Sequence, residues 1–413
     1  MPSPEYSLLL ALARLRVDPE DRNAALAILR QGIDWPQFIA LAARHGVAPL
    51  MERHLASLGW VGVPKPVVAA LWARNAVTVR RNRVMAAELA AVYEALEREG
   101  VETIPYKGPT LALAVYGDLS LREFGDLDLL VRARDVPRAK AILGTRGYEA
   151  ANPLPLALEA RLLRTRHLYE LPLVDRARGL MVELHWRPDP DVEAVALGDE
   201  NWWRGLPAAR FEGAAVRSLP PHELLLVLCL HGSKHFWVSL GWLVDIAELI
   251  RSRGDLDWRW IAEAARRLRC RRRVALGLRL AQELLRAPLH ESLHAMIADP
   301  TIEAIARRLQ QDSFTRDFGG YSVTEAFRMN LRLSDDRASR IRHFMQTVLT
   351  PGWGEWREWQ LPGALFFLYY PLRLIRLFRK YLWRAPEAIL PRRPETLAAA
   401  TPRTPLQPPR SRG

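Results

Sequence analysis

The stretch YKGPTLALAVYGDLSLREFGDLDLLV, residues 106–131, decides the fold of this chain. Residues 101–108 before and within it predict a short strand that ends at a glycine-containing turn. Residues 109–118 predict a helix, since proline is tolerated in a first helical turn. The strict alternation of FGDLDLLV, residues 124–131, predicts a second strand. A strand, a helix and a strand therefore follow one another within about thirty residues.

The same mixture continues after residue 131. Asp135 is the expected N-cap of a helix that Gly147 ends. The β-type runs HLYELPLV and GLMVELHW, joined by DRARG, predict a β-hairpin. We therefore expect an α+β fold with a small mixed sheet and helices.

Helical patterns lie on both sides of this sheet region. We predict an N-terminal helical region over residues 1–99, the α+β core over residues 100–215, and a C-terminal helical region over residues 216–385. The proline- and arginine-rich residues 386–413 are expected to be a disordered tail.

Composition limits the function only loosely. The 413 residues carry a formal net charge of +13, which favours a polyanion such as nucleic acid, anionic lipid or a nucleoside triphosphate, unless the arginines only reflect a GC-rich genome. The two cysteines have no CxxC partner, which argues against a disulfide scaffold and against a structural zinc site. The N-terminus lacks the pattern of a signal peptide, and no apolar run reaches the roughly 18 residues of a transmembrane span. We expect a cytoplasmic protein.

The central chemical feature is the pair Asp126 and Asp128. On a strand these side chains share one face, while Leu127 and Leu129 point to the core. Two neighbouring carboxylates repel each other unless a cation neutralises them, and Mg²⁺ takes oxygen ligands shared with phosphates. The pattern therefore predicts a platform for Mg²⁺, with Mn²⁺ as a substitute. A solvated strand is the alternative.

Three neighbours strengthen this hypothesis. Lys107 and Gly108 lie at a strand-to-helix turn, where free N–H groups and a positive charge would favour phosphate, although an ordinary turn with an exposed lysine is the simpler interpretation. Glu183 lies on the hairpin and could complete a two-metal site, or be an exposed glutamate. Arg122 could neutralise the transferred phosphate, or pair with Glu123 or Asp118.

These residues and their order resemble the polymerase-β-like nucleotidyltransferase superfamily, and most closely the bacterial family of uncharacterised nucleotidyltransferases. The similarity rests on residues 106–131, on ELHW at 183–186, and on HGSKHFWVSLGWLVDIAEL at 231–249. With the helices that begin after Asp34, it extends to about Trp383.

The resemblance implies transfer of a nucleoside monophosphate from a triphosphate such as ATP to a hydroxyl on a small molecule, a protein or RNA. Asp126 and Asp128 match the paired metal ligands, Glu183 the third carboxylate, and Gly108 the glycine of the phosphate-binding turn. The superfamily has Gly-Ser at that turn, so Thr110 or Lys107 would replace the serine. This departure keeps open a second hypothesis, a protein that binds nucleotide without turnover.

Two further segments have competing interpretations. His231 and His235 share a helical face with Lys234 between them, and we favour packing over a zinc site or an acceptor cleft near Asp245. Residues 365–384 combine apolar and basic side chains. Such a segment can lie on an anionic membrane surface, but we favour a helix docked on the protein with its basic side in water.

Overall fold

The computed structural model describes residues 3–163, 168–187, 200–315, 321–359 and 361–379. The predicted disordered tail, residues 386–413, lies outside this range. No helix within the described ranges is long and apolar enough to cross a membrane.

Helices precede the sheet in the chain. They are α1 (Pro4–Leu12), α2 (Pro19–Gln31), α3 (Trp35–Arg44), α4 (Ala48–Ser57) and α5 (Lys65–Arg98). The Asp34 side chain caps α3 by accepting a hydrogen bond from the Gln37 backbone N–H, as its position before Trp35-Pro36 predicts.

The middle of the chain mixes strands with helices. The strands are β1 (Thr103–Pro105), β2 (Leu127–Val131), β3 (Glu149–Ala150), β4 (Glu170–Asp175), β5 (Leu180–His185), β6 (Ala208–Phe211) and β7 (Ala214–Arg217). The helices between them are α6 (Gly108–Leu111), which continues as a π-helix over Ala112–Tyr116, then α7 (Val136–Thr145), α8 (Leu156–Leu163) and α9 (Glu200–Arg204). Asp135 occupies the N-cap position of α7, but its side chain makes no capping hydrogen bond, because the residue itself has helical backbone angles.

Helices again follow the sheet. They are α10 (Pro221–Lys234), α11 (Leu240–Ser252), α12 (Trp258–Arg267), α13 (Arg271–Leu285), α14 (His294–Ile297), α15 (Pro300–Thr315), α16 (Val323–Leu333), α17 (Arg337–Leu349), α18 (Trp353–Glu358) and α19 (Tyr369–Phe378). The predicted α+β class, with a small mixed sheet between helical regions, is confirmed. The boundaries of the four predicted regions remain predictions.

The main sheet has five strands in the order β1-β2-β5-β4-β3. β2 runs parallel to β5 and antiparallel to β1, and β4 and β5 form the predicted hairpin. In the parallel pair, Asp128 lies opposite Glu183 and Leu130 lies opposite His185. Because side chains alternate along each strand, the acidic residues of both strands come out on one face.

The two faces of this sheet contact different hydrophobic clusters. Leu127 and Leu129 are fully buried on the side of α5 and α7, together with Val182 and Leu184 of β5. Leu130 belongs instead to the cluster that contains α10 and α11. The carboxylates of β2 and β5 therefore lie between the sheet and the second group of helices.

The helix α19 is docked on the protein, but with a different side outward from the one we predicted. The arginines Arg373 and Arg376 turn inward to the buried Glu355 of α18, at Nη1–Oε1 distances of 3.1 and 2.9 Å. Phe366 and Tyr369 are buried beside them. The basic side is thus held by a carboxylate, and apolar side chains face the solvent instead.

The substitution Glu355→Gln tests this docking. A glutamine cannot neutralise two guanidinium groups, so we expect the free energy of unfolding to fall by about 2 kcal/mol. Hydrogen exchange in residues 369–378 should accelerate. Glu358 is the matched control, because it is exposed and meets Arg376 only at 3.4 Å; Glu358→Gln should change stability by less than about 0.5 kcal/mol. Equal effects of the two substitutions would contradict the docking role of Glu355.

Candidate active site

Three side chains converge where β2 pairs with β5. Asp128 and His185 are buried and Glu183 is half-buried, and each offers a ligand atom within 4.8 Å of the other two. The His185 Nε2 atom lies 3.2 Å from Asp128 Oδ1 and 3.3 Å from Glu183 Oε2. Glu183 reaches Asp128 because the two are direct partners in the parallel register, and His185 follows two residues later on the same face.

Lys107 neutralises the most buried of these carboxylates. Its Nζ atom lies 2.5 Å from Asp128 Oδ1, and both side chains are shielded from solvent. Burial alone would raise the pKa of Asp128, but Lys107 and His185 hold that pKa below its ordinary value. Burial likewise opposes the charge on Lys107, yet Asp128 and Asp126 raise the pKa of its ammonium group. The alternative interpretation of an exposed turn lysine is therefore wrong, because Lys107 is a buried cation.

His185 lies among several carboxylates. Its Nδ1 atom is 3.7 Å from Glu170 Oε2 on the neighbouring strand β4. Burial disfavours its charged form, but Asp128 and Glu183 raise the pKa of the imidazole to about 9. These carboxylates therefore favour the protonated form of the ring at neutral pH.

The geometry of this group fits a divalent cation. Asp128 Oδ1 and both ring nitrogens of His185 are buried without a hydrogen bond of good geometry, although charged partners lie close by. Buried polar atoms normally have hydrogen-bond partners or ligate an ion. Carboxylate oxygens and an imidazole nitrogen together form a common metal-ligand set. The Asp-Glu-His group could therefore bind a metal ion.

Asp126 lies at the edge of this group. It directly precedes β2 and is half-buried, and it is not one of the three residues with converging ligand atoms. Burial, followed by the charges of Asp128 and Glu183, raises the pKa of its carboxyl to about 7. The like-charge repulsion expected from the sequence thus acts mainly on Asp126.

The turn before α6 lies against the start of β2. Gly108 has a backbone φ of +54°, a left-handed conformation that glycine adopts without strain. A Cβ atom at this position would lie only 3.1 Å from the backbone oxygen of Asp126. The Thr110 hydroxyl donates to the Lys107 carbonyl at 2.8 Å, which fixes the turn and engages that hydroxyl.

Arg122 is held by an unexpected partner. Its Nε and Nη2 atoms donate to the two carboxylate oxygens of Asp245 in α11, at 2.8 and 2.9 Å. The Tyr116 hydroxyl donates to the same carboxylate at 2.7 Å. The ion pair with Glu123 or Asp118 that the sequence left open is wrong, since Arg74 contacts Glu123 and Asp118 caps a short helical turn. The remaining Arg122 nitrogen, Nη1, is buried without a hydrogen-bond partner among the described residues.

A comparison with known protein families agrees with this arrangement. The family model described as uncharacterised nucleotidyltransferase matches residues 31–286, well over half of the chain. The chain belongs to this nucleotidyltransferase family. No curated protein and no solved structure matches it.

The matched segment includes α5, the helix that fixes the acidic loop before β2. Arg81 of α5 donates to the Gly125 carbonyl at 3.1 Å, directly before Asp126. The buried Asn82 donates to the carbonyls of Leu119 and Arg122. The sequence alone favours a solvated helix face for Arg81, beside Arg80 and Arg83, so it does not predict this contact.

Three residues around the candidate site were not predicted from the sequence to take part in it. Glu170 lies directly opposite His185 in the hairpin register, so alignment of the two strands about their turn could have found it. Lys234 contacts Tyr169 and lies 3.4 Å from Glu170 Oε2. The Nδ1 atom of His231, a residue we had assigned to packing, lies 3.5 Å from Lys107 Nζ. Burial and then Lys107 keep the pKa of His231 well below its ordinary value, so a neutral ring faces the lysine.

The substitution Gly108→Ala tests the close approach of the turn to β2. The left-handed backbone and the 3.1 Å contact should together cost about 1–3 kcal/mol of unfolding free energy. Gly144, inside α7, is the matched control, because nothing lies within 4 Å of its added Cβ. Gly144→Ala should be neutral or stabilise by up to about 1 kcal/mol. Urea unfolding measures both, and an unchanged stability of Gly108→Ala would contradict the described turn.

The two aspartates should respond differently to replacement by asparagine. Like-charge repulsion between the two aspartates, taken alone, predicts that both changes leave the fold intact or slightly stabilised in the absence of metal. The structure keeps this expectation for Asp126, whose raised pKa means that its charge destabilises the folded state as the pH rises through about 7. Asp128 has a lowered pKa, so its charge contributes stability above the unfolded pKa, and that stability is lost only in acid.

We therefore expect opposite effects in the presence of a chelator at pH 8. Asp126→Asn should raise the unfolding free energy by roughly 1–2 kcal/mol, and this gain should be clearly smaller at pH 5, since it vanishes only below the unfolded pKa of about 3.9. Asp128→Asn leaves Lys107 and His185 buried without their carboxylate and should cost about 3 kcal/mol. Urea unfolding at the two pH values distinguishes them. Equal shifts for both variants would contradict the assigned charges.

Proposed function

We propose that this protein transfers a nucleoside monophosphate from a nucleoside triphosphate to a hydroxyl, in a metal-dependent reaction that releases pyrophosphate. The observation that carries the proposal is the buried carboxylate group of Asp128 and Glu183 beside the Gly108 turn. Membership of a nucleotidyltransferase family supports the reaction class.

Asp128 and Glu183 are the proposed central metal ligands. Asp126 joins them from the loop before β2, as the sequence predicts, and His185 offers a nitrogen ligand from the other side. A bound divalent cation would neutralise the triphosphate and lower the pKa of the attacking hydroxyl. Mg²⁺ suits the carboxylates, and a ligand set that includes the imidazole nitrogen would also accept Mn²⁺.

Lys107 is proposed to exchange partners when substrate binds. In the metal-free protein its ammonium group satisfies Asp128. A cation on Asp128 would repel this ammonium group, and a triphosphate over the Gly108 turn would attract it. Lys107 would then contact the phosphate in place of the serine hydroxyl found in the wider superfamily. The Thr110 hydroxyl is already engaged with the Lys107 carbonyl, which makes Thr110 the weaker candidate.

Arg122 is proposed as a second contact to the triphosphate. Asp245 fixes its orientation through two hydrogen bonds, and the unpaired Nη1 atom remains for an anion. A guanidinium group held in this way loses little side-chain freedom on binding. Transition-state charge on the transferred phosphate would be stabilised without movement of the residue.

The transfer forms one bond and breaks one. The acceptor oxygen bonds to the α-phosphorus, the α–β phosphate bridge breaks, and its electron pair leaves with pyrophosphate. Glu183 is the proposed acceptor of the hydroxyl proton, because it is the half-exposed member of the buried group. The acceptor remains a small molecule, a protein or RNA.

A label-transfer assay tests this proposal. The protein is incubated with Mg²⁺ or Mn²⁺, each of four α-labelled triphosphates, and cell extract as a source of acceptors. We expect a labelled product and pyrophosphate from the wild type, and a loss of at least about 100-fold in Glu183→Gln. Glu149→Gln is the matched control, since Glu149 lies on β3 of the same sheet and is exposed.

Two results would argue against the proposal. Equal activity of Glu183→Gln and the control would remove the carboxylate from the mechanism. Folded protein that binds triphosphate, yet releases no pyrophosphate with any acceptor pool, would support the second hypothesis of nucleotide binding without turnover.

A further inference from the structure

The exposed apolar residues are concentrated at the C-terminal end of the structure. Among the described residues, fourteen large hydrophobic side chains are exposed, and ten of them lie from Val323 to Phe378. This part of the chain follows the family-matched segment, which ends at residue 286. The concentration is therefore a feature of this chain outside its nucleotidyltransferase core.

Two packed helices carry most of this surface. Ile341, Phe344 and Met345 occupy one side of α17, and Leu374, Ile375 and Phe378 occupy one side of α19. We call these six residues the apolar face. The spacing of three and four residues places each set on one helical side. The two helices contact each other, and Arg373 of α19 donates to the Thr347 carbonyl of α17 at 2.9 Å.

The way in which α19 docks leaves the apolar face exposed to solvent. In most surface helices the apolar side packs inward and the charged side meets water. Here Arg373 and Arg376 face the buried Glu355, so the apolar side is left exposed. Clusters of exposed apolar side chains mark surfaces that contact a membrane or another protein.

The charge around the apolar face favours an anionic occupant. Residues 337–379 contain seven arginines against two glutamates, and one of these glutamates is the buried Glu355. Arg337, Arg340 and Arg379 are exposed, and no ion pair holds them within the described part of the chain. A second copy of the chain would bring these arginines against their own equivalents, and such like-charge contacts are unfavourable.

The sequence after α19 has the same character. Arg379 is followed by Lys380, Tyr381, Leu382, Trp383 and Arg384. Tyrosine and tryptophan are enriched where proteins meet the headgroup region of a bilayer, and arginine and lysine are attracted to anionic lipids.

We propose that the apolar face docks this protein peripherally on an anionic lipid bilayer. The apolar side chains would enter the boundary between headgroups and acyl chains, and the exposed arginines would contact lipid phosphates. This attachment is independent of nucleotidyl transfer, so either proposal can fail without the other.

Vesicle flotation of the full-length protein tests the proposal. We expect the wild type to float with vesicles of phosphatidylcholine and phosphatidylglycerol at low salt, and to bind phosphatidylcholine alone far more weakly. Leu374→Ser/Phe378→Ser should weaken binding to the anionic vesicles by about tenfold or more. Arg337→Gln/Arg340→Gln should also weaken binding and flatten its salt dependence.

A matched control separates this face from general hydrophobicity. Trp72→Ser/Val77→Ser removes two exposed apolar side chains from α5 and should leave flotation unchanged. Circular dichroism and thermal unfolding show that each variant is folded. The proposal is overturned if the wild type does not float with anionic vesicles at low salt, or if Leu374→Ser/Phe378→Ser binds as well as the wild type. Light scattering that shows a dimer broken by that substitution would assign the face to a second copy instead.

Discussion

The site depends on the ion pair between Lys107 and Asp128. An isolated carboxylate at this depth would be expensive, because burial removes the water that stabilises its charge. The 2.5 Å contact keeps Asp128 ionised in the absence of metal. The turn that carries Lys107 can approach β2 only because Gly108 adopts a left-handed conformation. The ion pair thus links the turn, the acidic strand and, through His185, the hairpin.

The local features of this region were readable from the sequence. The alternation at residues 126–131 predicts that the carboxylates lie on the opposite face of the strand from Leu127 and Leu129. The turn at residues 175–179 predicts the hairpin. Both follow from the period of two that a strand imposes on its side chains.

The long-range features were not readable. Nothing local indicates that β5 pairs in parallel with β2, and this register is what places Glu183 opposite Asp128. The lysine turn looked exposed because its burial comes from packing against a strand some twenty residues later. Arg122 looked free to pair within its own loop, whereas Asp245 lies on a helix more than one hundred residues away. The arginine side of α19 faces inward because Glu355, which lies in a different helix, is buried there.

Under the proposed function, the site would bind a cation through carboxylates that other residues already neutralise. In the structure, Lys107 and His185 lie against these carboxylates and balance their charge. Metal binding to the carboxylates would break their contacts with both residues. The ammonium group of Lys107 would then become free to contact phosphate. Arg122 differs, because Asp245 holds it in place and only its Nη1 atom is left for a ligand. One mobile and one fixed cation would therefore receive the triphosphate.

Direct measurement of Mn²⁺ binding tests this account most closely. Electron paramagnetic resonance follows free Mn²⁺ in titrations of the wild type and Asp128→Asn, with and without a non-hydrolysable triphosphate analogue. The account predicts that the wild type binds Mn²⁺, that the analogue tightens this binding, and that Asp128→Asn loses it. Mn²⁺ that stays free in the presence of folded wild type and analogue, or that binds equally to the variant, would contradict the account.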